Sequence, residues 1–265
     1  MKMKRTTRVS FSDKPAPRLS ITLPQCWADL DQAELRKVFE IRVQLAGEPA
    51  GKVYLHMFRY FTSLHVLRRE GGVWHCCVTA RRGRRVRSIM CDFALELLAE
   101  QLEPLSFIDS PGDVPVRLSR WHGAQAVDAE FHGISFGDYL RLENLYQGFL
   151  MSKNPAALDA IAAILYPGIR RKYIDEVFVM NLLQWVVQVK SMFAGMWPNF
   201  FKPAASGTAA PNMVEVMNSE IRALTGGDIA KEDVIFASDC WRALTELDYL
   251  AKDAEEMKKL ISKHK

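Results

Sequence analysis

Few places in this chain could carry chemistry. His75, Cys76 and Cys77 form its only close cluster of cysteine and histidine. The surrounding VWHCCVTA (73–80) is β-like in composition, and a strand would turn Cys76 and Cys77 to opposite faces. That prevents both thiols from ligating one metal. His56 and His65 stand apart, and no local signature of a cysteine nucleophile surrounds either thiol. The expected state is small buried thiols beside a surface histidine. Two acidic pairs, Asp175-Glu176 and Glu255-Glu256, lack the isolated apolar setting that would raise a carboxyl for acid catalysis. The first pair instead suits a helix N-terminus. Gly226-Gly227-Asp228 reads as a helix break, not a phosphate loop. The sequence therefore predicts no catalytic, cofactor-binding or metal-binding residues, and a protein that is not an enzyme.

Two other groups could bind partners. Arg81, Arg82, Arg84, Arg85 and Arg87 cluster around Gly83 in a basic turn. Such clusters bind phosphate backbones by releasing counterions, and they also serve as protein-binding loops. Trp197, Phe200 and Phe201 stand at a helix end beside an Ala/Ser/Gly/Pro-rich stretch, where aromatic residues can anchor a partner surface.

Composition bounds the setting for these groups. At 265 residues, 49% hydrophobic and 25% charged, the chain is long enough for one large or two smaller cores without staples. A net charge of +4 is too weak alone to imply nucleic acid. Five cysteines with no CxxC spacing point to free thiols in a reducing compartment. The charged N-terminus has no apolar signal core, which predicts a cytoplasmic protein.

The elements that must position these groups are mostly helical. Residues 1–18 read as a flexible basic arm, and Arg18–Leu23 as a short strand or extended lead-in. Asp31-x-x-Glu34 reads as a capping box opening a helix that ends near Gly47. Helical spacing predicts a second helix over 52–69 and a third over 88–102, with a small hairpin between them. Prolines and glycines make 104–134 an irregular connection. Ser135 and Asn154-Pro155 open two more helices. Asp175–Trp197 follows as the most apolar helix. Its polar members Asn181, Gln184, Gln188, Ser191 and Gly195 fall on one stripe, expected to be a thin wet edge. The helix is long enough to span a bilayer, but Lys190 and the amides would be costly at that depth, so no membrane role is expected. A mobile loop is expected over 202–211, then a helix over 211–224 and a last helix over 231–263 with a charged, solvated end. No heptad run long enough for a coiled coil is evident.

Three stretches carry a resemblance: FGDYLRLENLYQGFLMSKNPAALDAIAAILYPG (136–168), SMFAGMWPNFF (191–201) and EIRALTGGDIAKEDVIFASDCWRALTELDYLAKDAEEMK (220–258). Their order resembles helical proteins encoded in tail-gene regions of prophages and related mobile elements. The resemblance covers the second half and implies a tail-assembly chaperone or minor virion component. It rests on packing patterns and carries over no functional residue.

Together these features predict a mainly α, soluble helical bundle with a small β-hairpin element in the first half. They predict a basic arm (1–18), an α-rich N-terminal region (19–103), a connection (104–134) and a helical C-terminal domain (135–265). The expected function is a non-enzymatic interaction protein of phage or prophage origin. It would bind virion or tail proteins in the bacterial cytoplasm or in the virion. Arg81, Arg82, Arg84, Arg85, Arg87, Trp197, Phe200 and Phe201 are the expected contacts. The alternative is a nucleic-acid-binding accessory protein using the arm and the arginine cluster.

Overall fold

The computed structural model describes residues 7–9, 19–82, 85–94, 100, 102–112, 114–202 and 213–263. The fold is mainly α-helical, with a small three-stranded antiparallel sheet in the first half. It divides into two units, Met1–Gly112 and Asp113–Lys265. The boundary falls inside the stretch expected to be an irregular connection.

In the first unit, β1 (Thr7–Val9) pairs antiparallel with β2 (Leu19–Ile21), so part of the expected arm is a strand; residues 1–6 and 10–18 lie outside the described residues. α1 (Gln32–Gln44) starts at the predicted capping box. Asp31 accepts from the amides of Ala33 and Glu34, and Glu34 accepts from that of Asp31. α1 buries Leu35, Val38, Phe39 and Ile41. Trp27 packs on Phe39 and Phe107, and its indole donates to the carbonyl of Ser110. A Cβ at Gly112 would approach Trp27 to 3.2 Å, and the positive φ there also favours glycine.

Two predicted helices are corrected here. α2 (Ala50–Thr62) stops at Ser63, which takes the left-handed conformation, and Leu64–Glu70 then forms β3. Residues expected to open a third helix instead form β5 (Arg85–Ala94). β4 (Val73–Arg82) lies between them, giving the order β3-β4-β5. The physical reason is register. Trp74, Cys76 and Val78 are buried, and Cys76 and Val78 pair with Cys91 and Ile89. His75 and Cys77 pair with the exposed Asp92 and Met90. This two-residue alternation decides the structure over helical spacing.

In the second unit the predicted caps hold. Ser135 accepts from the Asp138 amide and opens α3 (Phe136–Ser152). Asn154 accepts from the Ala156 amide and opens α4 (Pro155–Leu165). Asp175 accepts from the Phe178 amide and opens α5 (Glu176–Met196). α6 is Met213–Thr225. The predicted last helix is broken into α7 (Glu232–Ala237) and α8 (Cys240–Lys263). The break follows from three contacts. The Phe136 amide donates to the Ser238 carbonyl, the Cys240 amide donates to the Ile134 carbonyl, and Asp239 accepts from the amides of Gly133, Trp241 and Arg242.

α5 is the core element. By length and composition it could cross a membrane, but here Phe178, Leu182, Trp185, Val189 and Phe193 are fully buried in the unit. Its polar stripe is a wet edge only toward the C-terminal end. Asn181 and Gln188 are completely buried; Gln184 is half-buried, and Ser191 and Gly195 are exposed. The stripe receives the segment expected to be irregular. The Leu118 amide donates to Asn181 Oδ1 (2.8 Å) and the Val116 amide to Gln188 Oε1 (2.9 Å). Asn181 Nδ2 donates to the Tyr166 hydroxyl, which donates to the Leu118 carbonyl. Indole N–H groups hold further carbonyls: Trp185 that of Ala129, Trp241 that of Glu130 and Trp121 that of Tyr173. The expected irregular stretch does contain a short antiparallel pair, Arg120–Trp121 with Ala124–Gln125; elsewhere in 114–134 buried backbone groups need partners, and side chains supply them.

Candidate interaction surface

α8 begins inside the core and ends outside it. Cys240, Ala243, Leu244 and Leu247 are buried. Beyond them Leu250, Ala254, Met257 and Ile261 follow at spacings of four, three and four residues, so they share one helix face. Met257 is 62% exposed, Ile261 and Leu260 are each 56% exposed, and Leu250 and Ala254 are also exposed. Large apolar side chains aligned on one exposed helix face are the kind of surface that another protein can cover. The sequence hides this seam inside AKDAEEMKKLISKHK, where lysines and acids outnumber the apolar residues.

A different side of α8 is occupied by its own chain. Asp248 accepts from the amides of Asn199 and Phe200 and from the Asn199 side chain. Burial works against its carboxylate, yet these bonds and nearby Lys202 hold its pKa below the ordinary value. Lys202 also pairs with Glu255. Asp248 and Glu255 are seven residues apart, well around the helix from the seam.

The structure distributes the predicted contacts unevenly. Trp197 is only 5% exposed and packs edge-on against Phe193 and Trp241, so its ring belongs to the core. Phe200 and Phe201 pack on each other and are half-buried. Arg81, Arg82, Arg85 and Arg87 lie at one end of the β4–β5 hairpin, where Arg82 pairs with Arg85 and Ala80 with Arg87. Arg84 lies outside the described residues, as does 203–211 of the predicted loop.

Other polar groups pair locally among the described residues. His75 Nδ1 lies 2.7 Å from Asp92 Oδ1 on the exposed sheet face. Among the described residues no group of three histidine, cysteine or acidic side chains could hold a metal. One half-buried charged cluster involves α3, α5 and α6. Glu143 Oε1 accepts from Lys190 and Gln147, while its buried Oε2 has no hydrogen-bond partner. Burial first, and then the Glu143 charge, push the Glu220 carboxyl up to about 7. Lys190 also lies over the Tyr146 ring.

No protein-family model, no curated protein and no solved structure matches the chain.

Proposed function

We propose that this is a non-enzymatic interaction protein that acts in phage tail or virion assembly. The observation that carries the interaction role is the free apolar seam of α8, from Leu250 to Ile261. The seam offers a partner helix about two heptads of apolar spacing on a base fixed in the second unit's core. The tail assignment rests on the resemblance of 136–168, 191–201 and 220–258 to tail-region proteins. The partners are then virion or tail components met in the bacterial cytoplasm, and the protein acts as an assembly chaperone or a minor virion component. Phe200 and Phe201 are secondary contacts.

The seam lies outside the core, so Met257→Glu with Ile261→Glu is expected to leave folding intact and to weaken tail-protein binding at least tenfold. Titration of the purified tail proteins against wild type and variant measures this. Equal affinity for both chains would remove the seam from the interface.

A second reading follows from the hairpin register, which collects arginines at one end of two paired strands. A nucleic acid bound there would lose affinity steeply with salt. Changing Arg81, Arg82, Arg84 and Arg85 to Ala is then expected to flatten the salt slope by up to about four, near one per phosphate contact. Fluorescence anisotropy with a labelled duplex and a single strand at low salt checks this; no binding in either case excludes this reading.

A further inference from the structure

We propose that Cys76 and Cys91 form a reversible cross-strand disulfide, a redox modification site in the sheet of the first unit. The two residues are direct partners in the β4–β5 register. Both thiols are free and buried, at 0% and 7% exposed. Cys77 is turned the other way and pairs with the exposed Met90. Arg82 and Arg85 close a two-residue loop, and counting back along the unbroken register makes Cys76 and Cys91 a hydrogen-bonded pair, whose Cα atoms stand about 5.5 Å apart, inside the disulfide range of about 4.4–6.8 Å. The Cβ atoms of such a pair stand near the wide end of about 4.5–5.5 Å, whereas a relaxed disulfide needs about 3.5–4.5 Å. The bridge therefore forms by drawing the strands slightly together, and that strain makes it easy to reduce.

The order of reaction follows from position. β5 is an edge strand, because it pairs only with β4 among the described strands. Edge fraying exposes Cys91 first. Its thiol loses a proton to solvent, and the thiolate attacks one sulfur of a small disulfide such as glutathione disulfide, expelling one glutathione thiolate. The Cys76 thiolate then attacks the Cys91 sulfur, displacing the second glutathione. Two protein thiols are oxidised and one disulfide is reduced to two thiols. Burial, and then the neighbouring Cys76 and Asp92, push the Cys91 thiol up to about 11. The first step therefore accelerates as pH rises. The bridge would clamp the two strands whose far ends carry the arginine cluster.

The full chain is treated with excess glutathione disulfide at mildly alkaline pH without denaturant, then analysed by intact mass and non-reducing peptide mapping. The expected product has lost two hydrogens and retains no glutathione. Fragmentation between Cys76 and Cys77 places the bridge on Cys76–Cys91, and dithiothreitol reverses it. Cys77→Ala, altered on the outer face, retains the bridge, and Cys91→Ala abolishes it. An unchanged mass, a stable glutathione adduct, or a bridge mapped to Cys77, Cys26 or Cys240 overturns the proposal; the wild-type map suffices if a variant does not fold.

Discussion

Asn181→Leu is expected to destabilise the second unit by about 2–4 kcal/mol. Asn181 is fully buried, and its amide bonds two groups at once: Oδ1 accepts from the Leu118 amide and Nδ2 donates to the Tyr166 hydroxyl. Leucine fills a similar volume but leaves the Leu118 N–H buried without its acceptor. An orphaned buried donor costs about 1–3 kcal/mol, and the lost Tyr166 contact adds to that. Denaturant unfolding followed by tryptophan fluorescence gives the magnitude, since Trp185 is packed beside Tyr166. Hydrogen exchange gives the location: the Leu118 amide should exchange far faster in the variant. Gln188→Leu should cost less, because Gln188 holds the Val116 amide at the half-buried lip of the same segment. A neutral Asn181→Leu would mean that 114–134 is held by the Gln188, Tyr166 and tryptophan contacts without Asn181.

The second large effect is on pH. The Glu220 carboxyl rises from its ordinary 4.5 to about 7, chiefly through burial and then through Glu143. Lys190 is bound to Glu143, and Tyr139, fully buried, senses both carboxylates. Between about pH 4.5 and 7 the unfolded chain releases the Glu220 proton while the folded chain keeps it. Stability therefore falls as pH rises through that window and levels off above it. A shift of this size corresponds to at most about 3 kcal/mol. Glu220→Gln removes the ionisation without changing size. It should match wild type near pH 4.5, exceed it above pH 7 and lose this part of the pH slope. Unfolding free energies across that range measure it, and parallel curves for the two chains would contradict this role of Glu220. Asp128 contributes with the opposite sign at lower pH. Burial opposes its ionisation, but the amides of Glu130 and His132 hold its pKa below the ordinary value, so that stability is lost only as acid protonates it.

Much of the fold is legible in the sequence where the signal is local. Asp31 with Glu34, Ser135, and Asn154 with Pro155 each mark a helix start that the structure contains. Signals fail where pairing partners decide. Leu64–Glu70 and Ser88–Ala94 have residues at helical spacing, yet both also alternate, and only the central strand β4 resolves the ambiguity. Asn181 and Gln188 look like a solvated stripe because the amides they serve lie far away in sequence, at Leu118 and Val116. The break at Ser238-Asp239 is equally non-local, since it depends on the backbone of Ile134 and Phe136. The candidate surface follows the same rule. The arginine cluster is visible as composition. Trp197 resembles an exposed anchor until Phe193 and Trp241 are seen to enclose it. The α8 seam emerges only once the core is seen to end near Leu247.

The α8 seam is proposed to meet a partner helix during assembly. A photo-crosslinking amino acid placed at Met257, in cells that also produce the proposed tail and virion partners, tests it most directly. Covalent capture of a defined tail or virion protein is predicted, with far less at Lys252 on the other side of the helix. Equal labelling at both positions, or no crosslinked tail or virion protein at Met257, would contradict it.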